Sequence, residues 1–135
     1  MNTNMRLVAL ILILIAPTWA VAEKFICIAE AATGFYYNDD SNTWENTKIN
    51  VDSSKYLVSF TEKTVSQFGK EGYMHDECFF IFIEETKVFF CNDGFGEFQM
   101  GEKSMKYLKT SPYYDYAMGE NSGTPNIQRG TCSKF

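Results

Sequence analysis

Four groups of residues in this 135-residue chain have the types that carry chemistry in other proteins, and their spacings decide what each can do. His75-Asp76, with Ser122 in Gly119-Glu120-Asn121-Ser122-Gly123, holds the base, orienting carboxylate and hydroxyl of a serine hydrolase. The spacing argues against that reading. Adjacent His and Asp side chains in one loop diverge, Ser122 is not in a G-x-S-x-G elbow, and Ser between Asn and Gly is ordinary turn chemistry. Asn38, Asp40 and Asn42 repeat the alternating oxygens of a calcium loop, but Thr43 stands where that loop needs Gly, Trp44 follows, and Ile49 replaces the closing Glu. Glu84-Glu85 and Asp39-Asp40 offer paired carboxylates, yet neighbours in a strand or turn face apart, whereas glycoside hydrolysis needs carboxyls across a cleft. These acidic residues read as solvated turns and loop tips. The sequence therefore assigns no catalytic residue, no metal ligand and no cofactor.

The fourth group is the cysteines, Cys27, Cys78, Cys91 and Cys132, separated by 51, 13 and 41 positions. Zinc would need close C-x2-C pairs, and a nucleophilic cysteine would leave an odd thiol over. An even count in an exported chain reads as two disulfides, with three connectivities open. If Cys78 to Cys91 is a hairpin with Glu84-Glu85 as its loop, the residue numbers across the ladder add to 169 and Cys78 stands opposite Cys91. They form a non-hydrogen-bonded pair, with Cα atoms about 4.5 Å apart. Glu-Glu is a poor primed turn, so a four-residue loop from Glu84 to Lys87 competes and would move the cysteines to diagonal positions. Cys27 and Cys132 would then join the first strand to the last.

Export is read from residues 1–22. Arg6 is a positive n-region, Leu7 to Ile15 is an apolar run of nine, and Ala20-Val21-Ala22 is a small-x-small cleavage pattern. The run is too short to span a bilayer. The expectation is a signal peptide over 1–22 and a single all-β domain over 23–135, periplasmic or secreted, with no stable membrane insertion after cleavage. Without Arg6 the remainder carries 11 basic and 17 acidic residues. That balance suits solubility and lacks the clustered Lys and Arg that bind phosphate backbones, so no nucleic acid is expected as a partner.

The elements that must position any site are strands. With 12 Phe, 8 Tyr and 2 Trp, the chain gathers aromatic and β-branched residues into short runs broken by Gly, Asn, Asp and Ser. Strands are expected at Lys24 to Glu30, Gly34 to Tyr37, Thr43 to Ile49, Lys55 to Phe60, Thr64 to Phe68, Cys78 to Ile83, Val88 to Cys91, Gly96 to Met100, Ser104 to Thr110 and Pro125 to Cys132. The apolar runs flanking Glu84-Glu85 suggest strands covered on both faces. No sustained 3.6-residue period appears, and Tyr113 to Met118 has room for one short helical turn. Eight to ten short strands in one domain imply a small antiparallel barrel or two-sheet sandwich, stapled by disulfides.

The blocks Ala32-Thr33-Gly34-Phe35 followed by Trp44, Gly94-Phe95-Gly96-Glu97-Phe98, and Thr124-Pro125-Asn126-Ile127 running into Gly130-Thr131-Cys132-Ser133 resemble a group of short, exported, uncharacterised bacterial proteins. The resemblance covers most of the chain after residue 22. Its motifs are turn and strand-end residues, so it implies an exported bacterial β domain and carries no function.

Tyr107, Tyr113, Tyr114 and Tyr116 are amphipathic side chains of the kind that line recognition surfaces. The last three sit in a Gly- and Ser-bounded loop and form the expected binding surface. The functional expectation is a non-enzymatic protein-binding or inhibitor-like module whose partner is an envelope or extracellular macromolecule. The alternative is a lipocalin-like carrier, with Phe79, Phe80, Phe82, Phe89, Phe90 and Phe98 lining a cavity for a small apolar ligand.

Overall fold

The computed structural model describes residues 23–94, 96–112 and 115–135. The expected signal peptide over 1–22, Tyr113 and Tyr114 lie outside the described residues. Nine strands form: β1 (Lys24–Asn38), β2 (Thr43–Ile49), β3 (Lys55–Ser59), β4 (Thr64–Gln67), β5 (Phe79–Ile83), β6 (Thr86–Asn92), β7 (Glu97–Gly101), β8 (Lys106–Ser111) and β9 (Asn126–Lys134). A four-residue helix, α1 (Asp115–Met118), falls where one short turn was expected. The strands make one sheet in the order β4-β3-β1-β9-β8-β7-β6-β5, with β2 added to β1. The sheet is antiparallel and curls into a half-barrel. The all-β expectation holds, in its barrel form rather than as two separate sheets.

The segments Lys24 to Glu30 and Gly34 to Tyr37 are not two strands; both belong to the 15-residue β1. Its partners run past the apparent break, β3 and β9 along the first half, β2 and β9 along the second. The register against β9 slips between Ala29 and Ala31, a β-bulge that leaves Glu30 as the extra residue. One extra residue reverses the side-chain alternation. Phe25, Cys27 and Ala29 point into the core before it, and Ala32 after it. Glu30 is held outside by β9, where Arg129 Nη1 donates to its carboxylate at 3.0 Å and Thr131 Oγ1 at 3.0 Å.

Both cross-links join directly opposed residues. Cys27 faces Cys132 across β1 and β9, and Cys78 is bonded to Cys91 with Cα atoms 4.3 Å apart. The β5–β6 ladder pairs Phe79 with Phe90, Phe80 with Phe89 and Ile81 with Val88, so the two-residue loop Glu84-Glu85 prevails over the four-residue one. Glu84 accommodates it at φ 55°. Two formed disulfides fit an oxidising, non-cytoplasmic compartment.

The core lies inside the curl. Phe89, Phe98, Met100, Val58, Val65, Cys27 and Cys91 are fully buried there. Phe60, from the β3–β4 turn, reaches across the opening to bring the far ends of the sheet together: its ring lies 4.5 Å from Phe25, 5.0 Å from Phe80 and 4.9 Å from Phe89. A backbone seam closes the same side. Val65 N–H donates to the His75 carbonyl at 2.8 Å, Met74 N–H to the Val65 carbonyl at 2.7 Å, and Cys78 N–H to the Lys63 carbonyl at 3.1 Å. The β5 run is not covered on both faces as its composition suggested. As the last strand of the order it leaves Phe79, Phe82 and Ile83 exposed, at 45%, 70% and 59%.

Gly130 sits opposite Tyr107 and beside the bulge. A Cβ there would collide with the Ile28 carbonyl oxygen and lie 2.7 Å from the Tyr107 ring. The missing side chain lets that ring lie flat over the strand, as aromatics do over sheet glycines. Gly130→Ala is expected to cost about 2–3 kcal/mol, because the obstacle is backbone and cannot move aside. Ser133→Ala, exposed on the same strand, should stay within about 0.5 kcal/mol. Urea unfolding of the two variants checks both values.

Candidate functional site

The only histidine of the chain is buried where the seam meets the mouth of the half-barrel. Its backbone bonds the edge of β4 through Val65, and its Nδ1 lies 2.9 Å from Asp93 Oδ2, in the turn after β6. The carboxylate that meets His75 is therefore Asp93 and not its neighbour Asp76. Burial pushes the imidazole below its ordinary basicity, with the Lys109 charge acting the same way; the bond to Asp93, its charge and that of Asp76 oppose them. Lys109 faces inward from β8, burial lowers its ammonium pKa, and its Nζ donates to Ser111 Oγ at 2.6 Å.

A histidine beside a carboxylate is the base half of a triad, and this ring is 5% exposed. Ser122 stands exposed in the loop between α1 and β9. The His–Asp pair acts as a strut between the seam and the β6–β7 turn. Next to it a polar layer crosses the interior. Tyr107 Oη donates to Gln128 Oε1 at 3.3 Å, and burial raises the phenol pKa of both Tyr107 and Tyr56.

The other chemical candidates are turn structure. Asn38 Oδ1 accepts the Asp40 N–H at 3.0 Å, Asn38 Nδ2 donates to Glu45 at 2.8 Å, and Tyr37 Oη donates to Asn42 Oδ1 at 3.3 Å. Glu45 also accepts Tyr36 Oη at 2.9 Å and Ser41 Oγ at 3.0 Å. Bonds from Asn38, Tyr36 and Ser41 hold its carboxyl below the usual range. The oxygens with calcium-loop spacing thus stabilise the β1–β2 hairpin. Glu84 and Glu85 occupy an exposed loop tip.

The six phenylalanines do not share one surface. Phe89 and Phe98 are buried in the core and Phe80 packs against it. Phe79 and Phe90 pair outside, with ring centroids 5.3 Å apart. Alternation along β5 and β6 sends adjacent residues to opposite faces. Of the expected binding tyrosines, Tyr113 and Tyr114 lie outside the described residues, and Tyr116 belongs to α1.

Two grooves open on the outer face among the described residues. One groove of about 500 Å3 is lined by Gly34, Phe35, Ser111, Pro112, Pro125 and Ile127, among others. A second, of about 360 Å3, is lined by Ala31, Lys48, Leu108 and Arg129, and shares Thr33 and Ile127 with the first. The two adjoin at Thr33 and Ile127, and together they form a channel across β1, β9 and β8. Phe35 is 51% and Ile127 52% exposed along it, whereas the polar Gln128 is buried. This inversion has a signal in the sequence, because Cys132 must face the core and alternation then sends Gln128 inward and Ile127 and Arg129 outward. The partnership of His75 with Asp93 has none.

His75 makes stability depend on pH with a definite sign. A histidine held below its ordinary 6.5 stays neutral in the folded protein while the unfolded chain takes up a proton, so stability is complete above that value and declines as pH falls toward the folded one. The wild-type unfolding free energy should fall between pH 7 and 5 with a slope of at most about 1.4 kcal/mol per pH unit. In His75→Gln that slope should vanish. Urea unfolding across this range checks it, and a slope unchanged in the variant would contradict the assignment.

No family model, curated protein or solved structure matches the chain.

Proposed function

We propose that this chain is an exported, non-enzymatic binding module of inhibitor-like type, whose outer channel across β1, β9 and β8 takes a segment of an envelope or extracellular protein. The observation that carries this reading is the exchange of faces. The interior holds packed aromatic rings, while Phe35, Leu108 and Ile127 line two adjoining grooves outside. Lys48 and Arg129 border the channel, the latter ion-paired with Glu30, and give it a polar rim. Apolar anchors with a charged rim are the usual anatomy of a protein interface. Pro112 forms one wall of the first groove.

The sequence features of residues 1–22, the two disulfides and the resemblance to exported bacterial proteins support a periplasmic or secreted location. Among the described residues no helix is long and apolar enough to cross a membrane. The rings of Phe25, Phe60, Phe80 and Phe89, with centroids 4.5 to 5.4 Å apart, take up space that a carried ligand would need, which weighs against the lipocalin-like alternative.

The test is capture from envelope extract by the disulfide-bonded protein, compared with Phe35→Ser/Ile127→Ser and with Tyr113, Tyr114 and Tyr116 replaced together by Ser. The expected result is a specific partner lost with the channel variant, whose melting temperature stays within about 3 °C because exposed side chains contribute little to stability. Equal capture by wild type and both variants would sink the assignment. Native mass spectrometry that finds a small apolar molecule bound inside the protein would favour the carrier instead.

A further inference from the structure

Strand β5 ends the sheet without the usual protection of an edge. Its five residues, Phe79-Phe80-Ile81-Phe82-Ile83, include no charge, no Pro and no bulge, although natural edges are blunted by such features. The two-residue loop makes Ile83–Thr86 a hydrogen-bonded pair of the hairpin, so the N–H and C=O groups of Ile81 and Phe79 also turn toward β6. Those of Cys78, Phe80 and Phe82 turn away from it. Cys78 confirms the phase, since its N–H reaches the Lys63 carbonyl at 3.1 Å. Beyond Lys63 the β3–β4 turn ends the neighbouring edge and β5 runs on. Among the described residues, the backbone groups of Phe80 and Phe82 have no backbone partner.

We propose that a second copy of this chain covers this edge, with β5 pairing antiparallel to β5 of the other protomer about a two-fold axis through Ile81. Free groups on two residues spaced two apart are self-complementary under such an axis: Phe80 of each copy meets Phe82 of the other, and four backbone hydrogen bonds form. The same register sets Ile81 against its own copy and Phe79 against Ile83 on the outer face, which covers two of the exposed side chains of β5. Phe82, 70% exposed, comes beside Phe80 of the other copy.

The composition of β5 favours this occupant: the two-fold register sets five uncharged residues against five uncharged residues, so each copy covers apolar side chains that the other leaves exposed. Glu84 and Glu85 stay outside the paired stretch, because Glu84 turns away at φ 55°. The pairing leaves the channel across β1, β9 and β8 free, because β7 and β6 lie between, so this inference stands apart from the proposed function.

Sedimentation velocity of the disulfide-bonded protein over the micromolar range should show a reversible monomer–dimer equilibrium. Phe82→Pro removes one donor from each protomer, two of the four bonds, and should weaken the dimer on the order of 10- to 100-fold. Phe82→Lys keeps the backbone donor but places a charge on the edge and should weaken it as well. Since Phe82 is exposed, both variants should keep the wild-type melting temperature and circular dichroism. Amide exchange at Phe80 and Phe82 should slow as protein concentration rises. A monomer at every concentration, a dimer indifferent to Phe82→Pro, or slow exchange of these two amides in the monomer would each overturn the proposal, the last by showing that the chain covers its own edge.

Discussion

Strand β1 hydrogen-bonds to three other strands, and the curl of the sheet depends on how it does so. Its first half lies between β3 and β9 and its second between β2 and β9, with the bulge at Glu30 between the halves. A bulge bends its strand and increases local twist, which turns a flat nine-stranded sheet into one that wraps its own core. The disulfide Cys27–Cys132 clamps the pairing of β1 with β9 a few residues before the bulge. Gly130 removes the side chain that would obstruct the bend, and Tyr107 covers the gap it leaves. Closure of the loop between these cysteines removes about 4–5 kcal/mol of unfolded-chain freedom in the chain-entropy model.

The interior that results is graded from apolar to polar. Around Phe60 the rings of Phe25, Phe80 and Phe89 meet directly, and Lys87 Nζ caps the Phe80 face at 4.2 Å while bonded to Glu102 at 3.1 Å. Toward the other mouth the inward residues are Tyr56, Tyr107, Gln128, Lys109 and His75. Buried polar groups are tolerated where they are paired, and the bonds Tyr107 to Gln128 and Lys109 to Ser111 meet that condition, while Asp93 lies 2.9 Å from His75 Nδ1. The His–Asp pair ties the segment before β5 to the turn after β6, so the polar layer holds the seam in addition to satisfying itself.

Burial inside leaves the outer face to any recognition of the proposed kind. Two outer regions have unsatisfied physical demands of different kinds. The channel of Phe35, Leu108 and Ile127 exposes apolar area without free backbone groups, and suits side chains of another protein. The β5 edge exposes backbone groups in a self-complementary phase and suits a strand. Two strands, β7 and β6, separate β8 from β5 in the sheet order, which leaves room for both uses on one small domain.

Local physics was enough for the strands, most turns and both cross-links. The period-two alternation around Tyr56 and Phe98, the Asn-Asp cluster before Thr43, and the count of residues from Cys78 through Glu84-Glu85 to Cys91 all depend on neighbours within one hairpin, and each agrees with the structure. Pairing of Cys27 with Cys132 followed by elimination once the hairpin was set. The bulge at Glu30 was hidden because Ala29 to Thr33 carries no turn residue, and only the partners Arg129 and Thr131, about a hundred positions away, reveal which residue is extra. The apolar run of β5 reads as a covered strand, and its place at the end of the sheet order is a property of the whole topology. Likewise His75 has Asp76 beside it in the chain, but the fold gives it Asp93, because the seam along β4 turns the ring toward the β6–β7 turn. Contacts between residues close in sequence are determined by spacing, whereas the face a long strand presents and the partner a buried polar group finds are decided by closure of the sheet.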